Sequence, residues 1–261
     1  MITSTKNTQI KNVIQLMKSS KARKEQGIFV AEGRKMFEEA PKERIEKVFV
    51  TEAAAEVCRE GLESVDSEIV SEQVFHQMSD TITPQGILTL VRQSAYTAEE
   101  LLFPSAEGAQ STPFVLLLEN LQDPGNLGTI LRTAEAAGVT GVLLTRECVD
   151  VYNPKTIRAT MGSVYRLPFA VVTEMEHVLQ CCKQQNIRTY AAHLEGTQAY
   201  TQADYTLPTA FMIGNEGSGL SDALAAQADQ WIRIPMQGQV ESLNAAMAAG
   251  ILMYETSRQR T

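Results

Sequence analysis

Short apolar runs alternate with amphipathic stretches along most of the chain, and the two periods define its elements. Ile10, Val13, Ile14 and Met17 recur at helical spacing within residues 7–18. Residues 27–31 and 47–51 read as short strands, with a helix over 33–40 between them. A helix near 53–60, a strand near 68–70, a helix over 71–78 and a strand over 86–92 follow. Together they predict a small α/β or α+β module.

Residues 93–113 change character. Ser94, Pro104, Ser105, Gly108, Ser111, Thr112 and Pro113 stand among Glu99, Glu100 and Glu107, the composition of a linker with room for one short helix. Beyond it the alternation is regular. Apolar runs at 114–118, 141–145, 169–172, 187–192, 209–213 and 231–234 predict strands, and helical patterns lie between most of them. A last helical pattern runs from about Ser242 to Arg258. Such alternation implies a mostly parallel sheet covered on both faces. The expected organisation is a domain over 1–95, a linker over 96–112 and a second domain over 113–261.

Composition narrows the class. The 44% hydrophobic content supplies an ordinary globular core, and no apolar run approaches a membrane span. The N-terminus MITSTKNTQIKNVIQ lacks a signal-peptide stretch, so a cytoplasmic protein is expected. Cys58, Cys148, Cys181 and Cys182 form no CxxC pair and have no histidine at ligand spacing, which argues against a disulfide framework or a metal site. The net charge of −8 is uneven: residues 1–50 carry eleven basic and six acidic side chains, leaving −13 on the remainder. Lys18, Lys21, Arg23 and Lys24 therefore suggest a basic RNA- or phosphate-facing arm on an acidic body. From charge alone, a solvated amphipathic helix explains them equally well.

Three segments carry the candidate chemistry: ENLQDPGNLGTILRTAEAAGV (119–139), FMIGNEGSGLS (211–221) and IRIPMQGQVESLNAAMAAG (232–250). Each leaves an apolar run, breaks into small and amide-bearing residues and re-enters a helical pattern. In open α/β sheets such loops, at the carboxyl ends of strands, form ligand sites. In the first, Asn126 stands where an N-cap is expected. Arg132, one turn inside the helix, points away from the stripe of Leu127, Ile130, Leu131 and Ala134, either as a phosphate fork or as an ordinary surface arginine. In the second, Gly214, Gly217 and Gly219 are spaced GxxGxG, which fits neither a Rossmann fingerprint nor a P-loop. Glu216 reads either as a partner for a hydroxyl or amine or as a solvated loop carboxylate. In the third, Ser242 is a plausible N-cap for a helix of Ala245, Ala246, Met247, Ala248, Ala249 and Gly250 that is apolar nearly all round, and hence buried on several sides. The histidines, His76, His177 and His193, lie outside all three segments, which disfavours a His-based triad there.

In order, these segments resemble the three signature motifs of the SpoU (TrmH-like) RNA ribose 2′-O-methyltransferases of the SPOUT class. The resemblance spans residues 114–255, and NPKTIRATMGSVYRLPF (153–169) resembles that family's connection between its first and second motifs. Residues 10–93 are similar to the small substrate-binding domain these enzymes often carry, most closely at EGRKMFEEA and TPQGILTLV. That domain has a ribosomal-protein-like fold and binds structured RNA. The resemblance implies a parallel sheet with a C-terminal trefoil knot, a topology that general rules disfavour. It also implies a homodimer.

The same resemblance assigns residues. Asn126 and Arg132 match the polar pair of the first motif, and Glu119 its upstream acid. Gly214, Asn215, Glu216 and Gly219 match the second; Ile234, Pro235, Ser242, Leu243 and Asn244 match the third. The second and third loops would wrap S-adenosylmethionine, with Gly214, Ile234 and Leu243 lining the adenosine. Arg132, Glu216, Ser242 and Asn244 would face the RNA ribose. Ala245 and Ala246 replace the Val-Ser often seen after Asn244. The implied reaction is methyl transfer to a ribose 2′-hydroxyl, in ribosomal RNA first and transfer RNA second, without a metal. The family gives Arg132 the role of base, but arginine stays protonated, and a phosphate anchor suits it better. The rivals are an inactive RNA-binding or ribosome-assembly protein with the same fold, and a nicotinamide-dependent enzyme, which the glycine spacing disfavours.

Overall fold

The computed structural model describes residues 1–103 and 112–261; residues 104–111 of the expected linker lie outside it. Within the linker, a short helix, Ala98–Leu102, begins with a capping box between Thr97 and Glu100. The chain divides into two compact units, Met1–Ser94 with Asp150–Tyr165, and Ala95–Val149 with Arg166–Thr261.

In the first unit, β1 (Ile28–Glu32), β2 (Ile45–Val50), β3 (Ser67–Ile69) and β4 (Ile87–Arg92) form a sheet in the order β1-β4-β2-β3. β4 pairs antiparallel with β1 and β2, and β2 runs parallel to β3. Alternation along the strands sorts their side chains to two faces. Phe49 and Leu88 join Ile10, Val13 and Leu16 of the Thr8–Lys18 helix and Val74 and Phe75 of the Glu72–Met78 helix. Val48, Val50 and Ile87 pack on Phe37, Ala54 and Cys58.

One expectation in this unit is overturned. Arg23 is only 3% exposed. Its Nε and Nη2 donate to Asp150 Oδ2 at 3.0 and 2.7 Å, and Nη1 donates to the Leu16 carbonyl at 2.6 Å. A guanidinium so committed has nothing left for an RNA phosphate; it ties the Ser20–Gln26 helix to the Asp150 loop. Lys18, Lys21 and Lys24 remain exposed, with Lys21 only loosely paired to Glu25 at 3.8 Å.

The segment Asp150–Tyr165 groups with this unit and not with the sequence flanking it. Its aromatic residues explain why. Tyr152 lies 4.7 Å from Phe29 between ring centroids, and the Tyr165 hydroxyl donates to the Met36 carbonyl at 2.9 Å.

The second unit is a seven-stranded, wholly parallel sheet. Its strands are β5 (Phe114–Leu118), β6 (Gly141–Thr145), β7 (Phe169–Val172), β8 (Arg188–Ala192), β9 (Gln198–Ala199), β10 (Thr209–Ile213) and β11 (Gln230–Arg233). Their order is β7-β6-β5-β10-β8-β11-β9. β5, β6, β7 and β10 coincide with the expected runs; the two-residue β9 was not anticipated. The chain builds outward from β5 to β7, crosses to the other side for β8, and returns with β10 to fill the place between β5 and β8. The direction of winding thus reverses at β5 and β10, the kind of switch point where open sheets bind ligands.

The last helix runs Ala245–Arg260 and packs on the Pro124–Ala137 helix. It is not buried all round. Ala245, Ala246, Ala249, Leu252 and Met253 are buried, whereas Met247 and Tyr254 are 61% and 55% exposed.

Candidate active site

The three signature loops leave the carboxyl ends of β5, β10 and β11. The first is laced to the second. Glu119 accepts from the Ser221 amide and hydroxyl, both at 2.7 Å. Asn120 adopts a left-handed conformation with φ 53°, which asparagine tolerates better than most residues. In that conformation its carbonyl receives Asn215 Nδ2 at 2.8 Å, and its amide donates to Thr145 Oγ1 at 3.1 Å.

Asp123, and not Asn126, caps the Pro124–Ala137 helix, its carboxylate accepting from the Asn126 amide at 2.7 Å. Pro124 occupies the first turn, where a missing N–H costs nothing. Asn126 is therefore inside the helix, with its side chain free to bridge the loops. Its Nδ2 donates to Glu216 Oε1 at 3.1 Å, and its Oδ1 accepts from Asn244 Nδ2 at 2.9 Å. Asn244, and not Ser242, caps the Ala245–Arg260 helix, its Oδ1 accepting from the Ala246 and Met247 amides at 2.9 and 3.2 Å. One hydrogen-bonded line thus runs from the second loop through the first to the third: Glu216, Asn126, Asn244, helix N-terminus. The polarity at each end orients both amides, because a carboxylate only accepts and helix amides only donate.

Glu216 is the hub of this line. Besides Asn126 it accepts from the amides of Gln122 and Asp123 at 3.1 and 3.0 Å. Partial burial pushes its carboxyl up, but the three donors together outweigh that and hold it below the ordinary carboxylate range. A carboxylate so stabilised is a poor proton acceptor at neutral pH. It does not hang free in solvent: Oε1 takes two of its three donors and Oε2 the third.

The glycines of the second loop have an internal reason. A Cβ on Gly214 would lie 2.1 Å from the Gly219 carbonyl carbon and the Leu220 nitrogen, because Asn215 and Gly219 close the loop through two backbone bonds of 2.9 and 3.0 Å. Gly219 has φ +70°. Asn215 Oδ1 collects the Gly217 and Ser218 amides at 2.8 and 3.1 Å. A side chain at Gly214 would therefore collide first with the loop's own backbone.

The third loop is the opposite. Among the described residues, no hydrogen bond involves the backbone of residues 235–243. Pro235 and Ser242 are exposed, and Ile234 and Leu243 are half-buried at the two ends of this stretch. Its carbonyls, and its amides other than the missing one of Pro235, are uncommitted at the same carboxyl edge of the sheet, a set suited to a ligand held through backbone groups.

Arg132 lies about two turns into its helix, deeper than expected, exposed and without a partner among the described residues. Ser242 is likewise exposed and unpartnered. A further turn, outside the three sequence segments, follows β8 at the same carboxyl edge. β8 lies between β10 and β11, so the turn at 193–196 stands between the second and third loops. There a Cβ on Gly196 would meet the Ile232 carbonyl carbon at 2.6 Å, and the His193 ring stacks 4.3 Å from Trp231. The HLEG turn directly after a strand was the available signal. Among the described residues no cluster of His, Cys, Asp or Glu could hold a metal, and no helix is long and apolar enough to cross a membrane.

A wholly parallel sheet whose loops are knitted across its switch point is the frame of an α/β ligand-binding protein, and comparison with known proteins supplies its class. Residues 113–254 match the SpoU rRNA Methylase family, and residues 7–89 match the MRM3-like substrate binding domain. An uncharacterized tRNA/rRNA methyltransferase of Synechocystis is 35% identical, with 99% of this chain and 94% of that protein covered. The 23S rRNA (guanosine(2553)-2′-O)-methyltransferase RlmP of Bacillus subtilis is 32% identical, with 97% of each covered. The crystal structure of an AdoMet-bound rRNA methyltransferase from Sinorhizobium meliloti superposes with a TM-score of 0.86 at 31% identity, covering 100% of this chain and 98% of that one. The chain belongs to the SpoU rRNA methylase family.

Proposed function

We propose that this protein transfers a methyl group from S-adenosylmethionine to a ribose 2′-hydroxyl of ribosomal RNA, as a cytoplasmic homodimer. The observation that carries the reading is the line Glu216–Asn126–Asn244, which ties the first and second signature loops to the end of the third. Beside it lies the uncommitted backbone of residues 235–243. That stretch and the 214–219 turn are suited to enclose the cofactor, with Ile234 and Leu243 against its adenosine. When bound, the cofactor supplies an electrophilic methyl carbon on a sulfonium.

The protein's own contribution is alignment. Asn126 and Asn244 each retain one side-chain N–H beyond the line described, and Ser242 a free hydroxyl. These groups can orient the ribose. Arg132 serves as a charged fork for an adjacent phosphate, not as a base, since its guanidinium keeps its proton. Glu216 holds three donors and acts by positioning Asn126. The 2′-hydroxyl proton leaves as the carbon–oxygen bond forms and the carbon–sulfur bond breaks, and water or an RNA phosphate takes it.

The first unit would select the RNA, with Lys18, Lys21 and Lys24 toward phosphates. A C-terminal trefoil knot agrees with the late insertion of β10 between β5 and β8 and with the return of the last helix onto the Pro124–Ala137 helix. The test is Arg132→Ala assayed with radiolabelled S-adenosylmethionine and ribosomal RNA lacking the modification. Cofactor affinity should stay within a few-fold and methyl transfer should fall at least about a hundredfold, the range typical when one group acting only in the transition state is lost. Near-normal single-turnover transfer at saturating RNA would refute the role given to Arg132.

A further inference from the structure

The second unit is acidic, with eight Lys and Arg residues against sixteen Asp and Glu. Its cations are few enough that their surroundings discriminate among them. Arg166 pairs with Glu135, Arg258 with Glu255, and Arg260 with backbone carbonyls of Tyr205, Thr112, Pro113 and Leu207. Arg188 lies near enough to the Tyr190 hydroxyl to draw its pKa down against the effect of burial. Three arginines have no partner among the described residues: Arg132, Arg146 and Arg233. Arg146 and Arg233 are exposed and stand at matching places, Arg146 directly after β6 and Arg233 as the last residue of β11, both at the carboxyl edge that carries the site.

Neither sits on a loose surface. The turn that presents Arg146 is bound to the first signature loop by three contacts. The Glu147 carbonyl accepts Gln122 Nε2 at 2.6 Å, the Val149 amide donates to the Leu121 carbonyl at 2.7 Å, and Cys148 Sγ accepts the Leu121 amide at 3.3 Å. Arg233 is held in the ladder between β8 and β9, where it pairs with Ala199. An unpaired guanidinium on an acidic unit, fixed to the frame of the site, is disposed for an anionic ligand that arrives from solvent.

We propose that Arg146 and Arg233 bind two different phosphates of the RNA strand, one on each side of the target ribose; this rests on the function proposed above. The β6-β5-β10-β8-β11 order separates the two strand ends by four inter-strand spacings, roughly 19 Å at about 4.8 Å each. No single phosphate reaches both. A strand laid across the edge from Arg146 to Arg233 passes over the ends of β5, β10 and β8, where the signature loops and the 193–196 turn lie. The pair thus fixes the direction in which the backbone crosses the sheet and leaves base identity to other contacts.

The experiment measures the binding of the full chain to a fluorescent oligouridylate of about twelve nucleotides across a salt series, alongside its affinity for S-adenosylhomocysteine. Arg146→Ala and Arg233→Ala should each flatten the slope of log affinity against log salt by about 0.7, and the double variant by about 1.4. Arg146→Lys and Arg233→Lys should restore it, and S-adenosylhomocysteine affinity should not move. Lys183→Ala, an exposed cation on the Met175–Gln184 helix at the opposite edge, should leave the slope unchanged. An unaltered slope in both folded alanine variants, or an equal loss in Lys183→Ala, would overturn the assignment while the functional reading stands. If the wild-type chain bound no RNA at any salt concentration, both would fall.

Discussion

Glu216 shows how a carboxylate can organise a candidate site through its hydrogen bonds alone. Its carboxylate holds two backbone amides and one side-chain amide, and only a charged acceptor with two equivalent oxygens satisfies all three. Glu216→Gln turns an NH2 group toward at least one donor. The loss of stability should be about 1–2 kcal/mol by urea melting, the range for a partly buried donor left unmet. The pH dependence follows from the direction of the shift. A carboxyl held below its ordinary value stabilises the fold fully above that value and ceases to do so as pH falls through the depressed one. Acid should therefore loosen the loops in the wild type and not in Glu216→Gln. From about pH 6 to 9 Glu216 should impose no titration on the methylation rate. A rate step in that window that vanished in Glu216→Gln would show that the group exchanges a proton during turnover.

At the scale of elements, the glycine turn is a prefabricated part. Gly214→Ala should cost about 1–3 kcal/mol, because its Cβ overlaps backbone that cannot rotate away. Gly217→Ala, whose Cβ would meet only Asn215 Oδ1 at 3.5 Å, should be nearly neutral. Paired thermal melts separate the two, and equal melting temperatures would show that the turn is not as tightly closed as its bonds indicate. Elements are also where sequence reading fared best and where it slipped. Apolar runs such as Val115–Leu116–Leu117 mark buried parallel strands without ambiguity, because both faces are covered. The caps slipped by two or three residues. In DPGN, the proline at the first helical position makes the preceding aspartate the cap; in SLN, the asparagine that takes the cap is also the one that reaches Asn126. Strand β9 offers two residues and hence no period to detect.

At the scale of the whole molecule, what sequence patterns could not reveal are ties between distant residues. Arg23 looked like one of four arm cations until Asp150, 127 residues away, claimed it. The same holds for Tyr165 and Met36, and for the order in which seven parallel strands assemble. Periodicity records which residues are buried, not which partners bury them. The exposed Met247 and Tyr254, with Ile251 half-buried between them, form a stripe at helical spacing on the last helix. A symmetric dimer would cover it. Sedimentation at micromolar concentration should give twice the chain mass, and Met247→Glu with Tyr254→Glu should yield monomers that no longer methylate RNA. An active wild-type monomer would remove the dimer from the account.

The central claim, methyl transfer to a ribosomal ribose, is tested most directly by mapping 2′-O-methylation across the total RNA of a strain lacking this protein. The strain is compared with the same strain complemented by the wild type and by Arg132→Ala. The account predicts that one 2′-O-methyl group in ribosomal RNA disappears in the deletion, returns with the wild type and stays absent with Arg132→Ala. Ribosomal RNA with every 2′-O-methyl group intact in the deletion strain would contradict it.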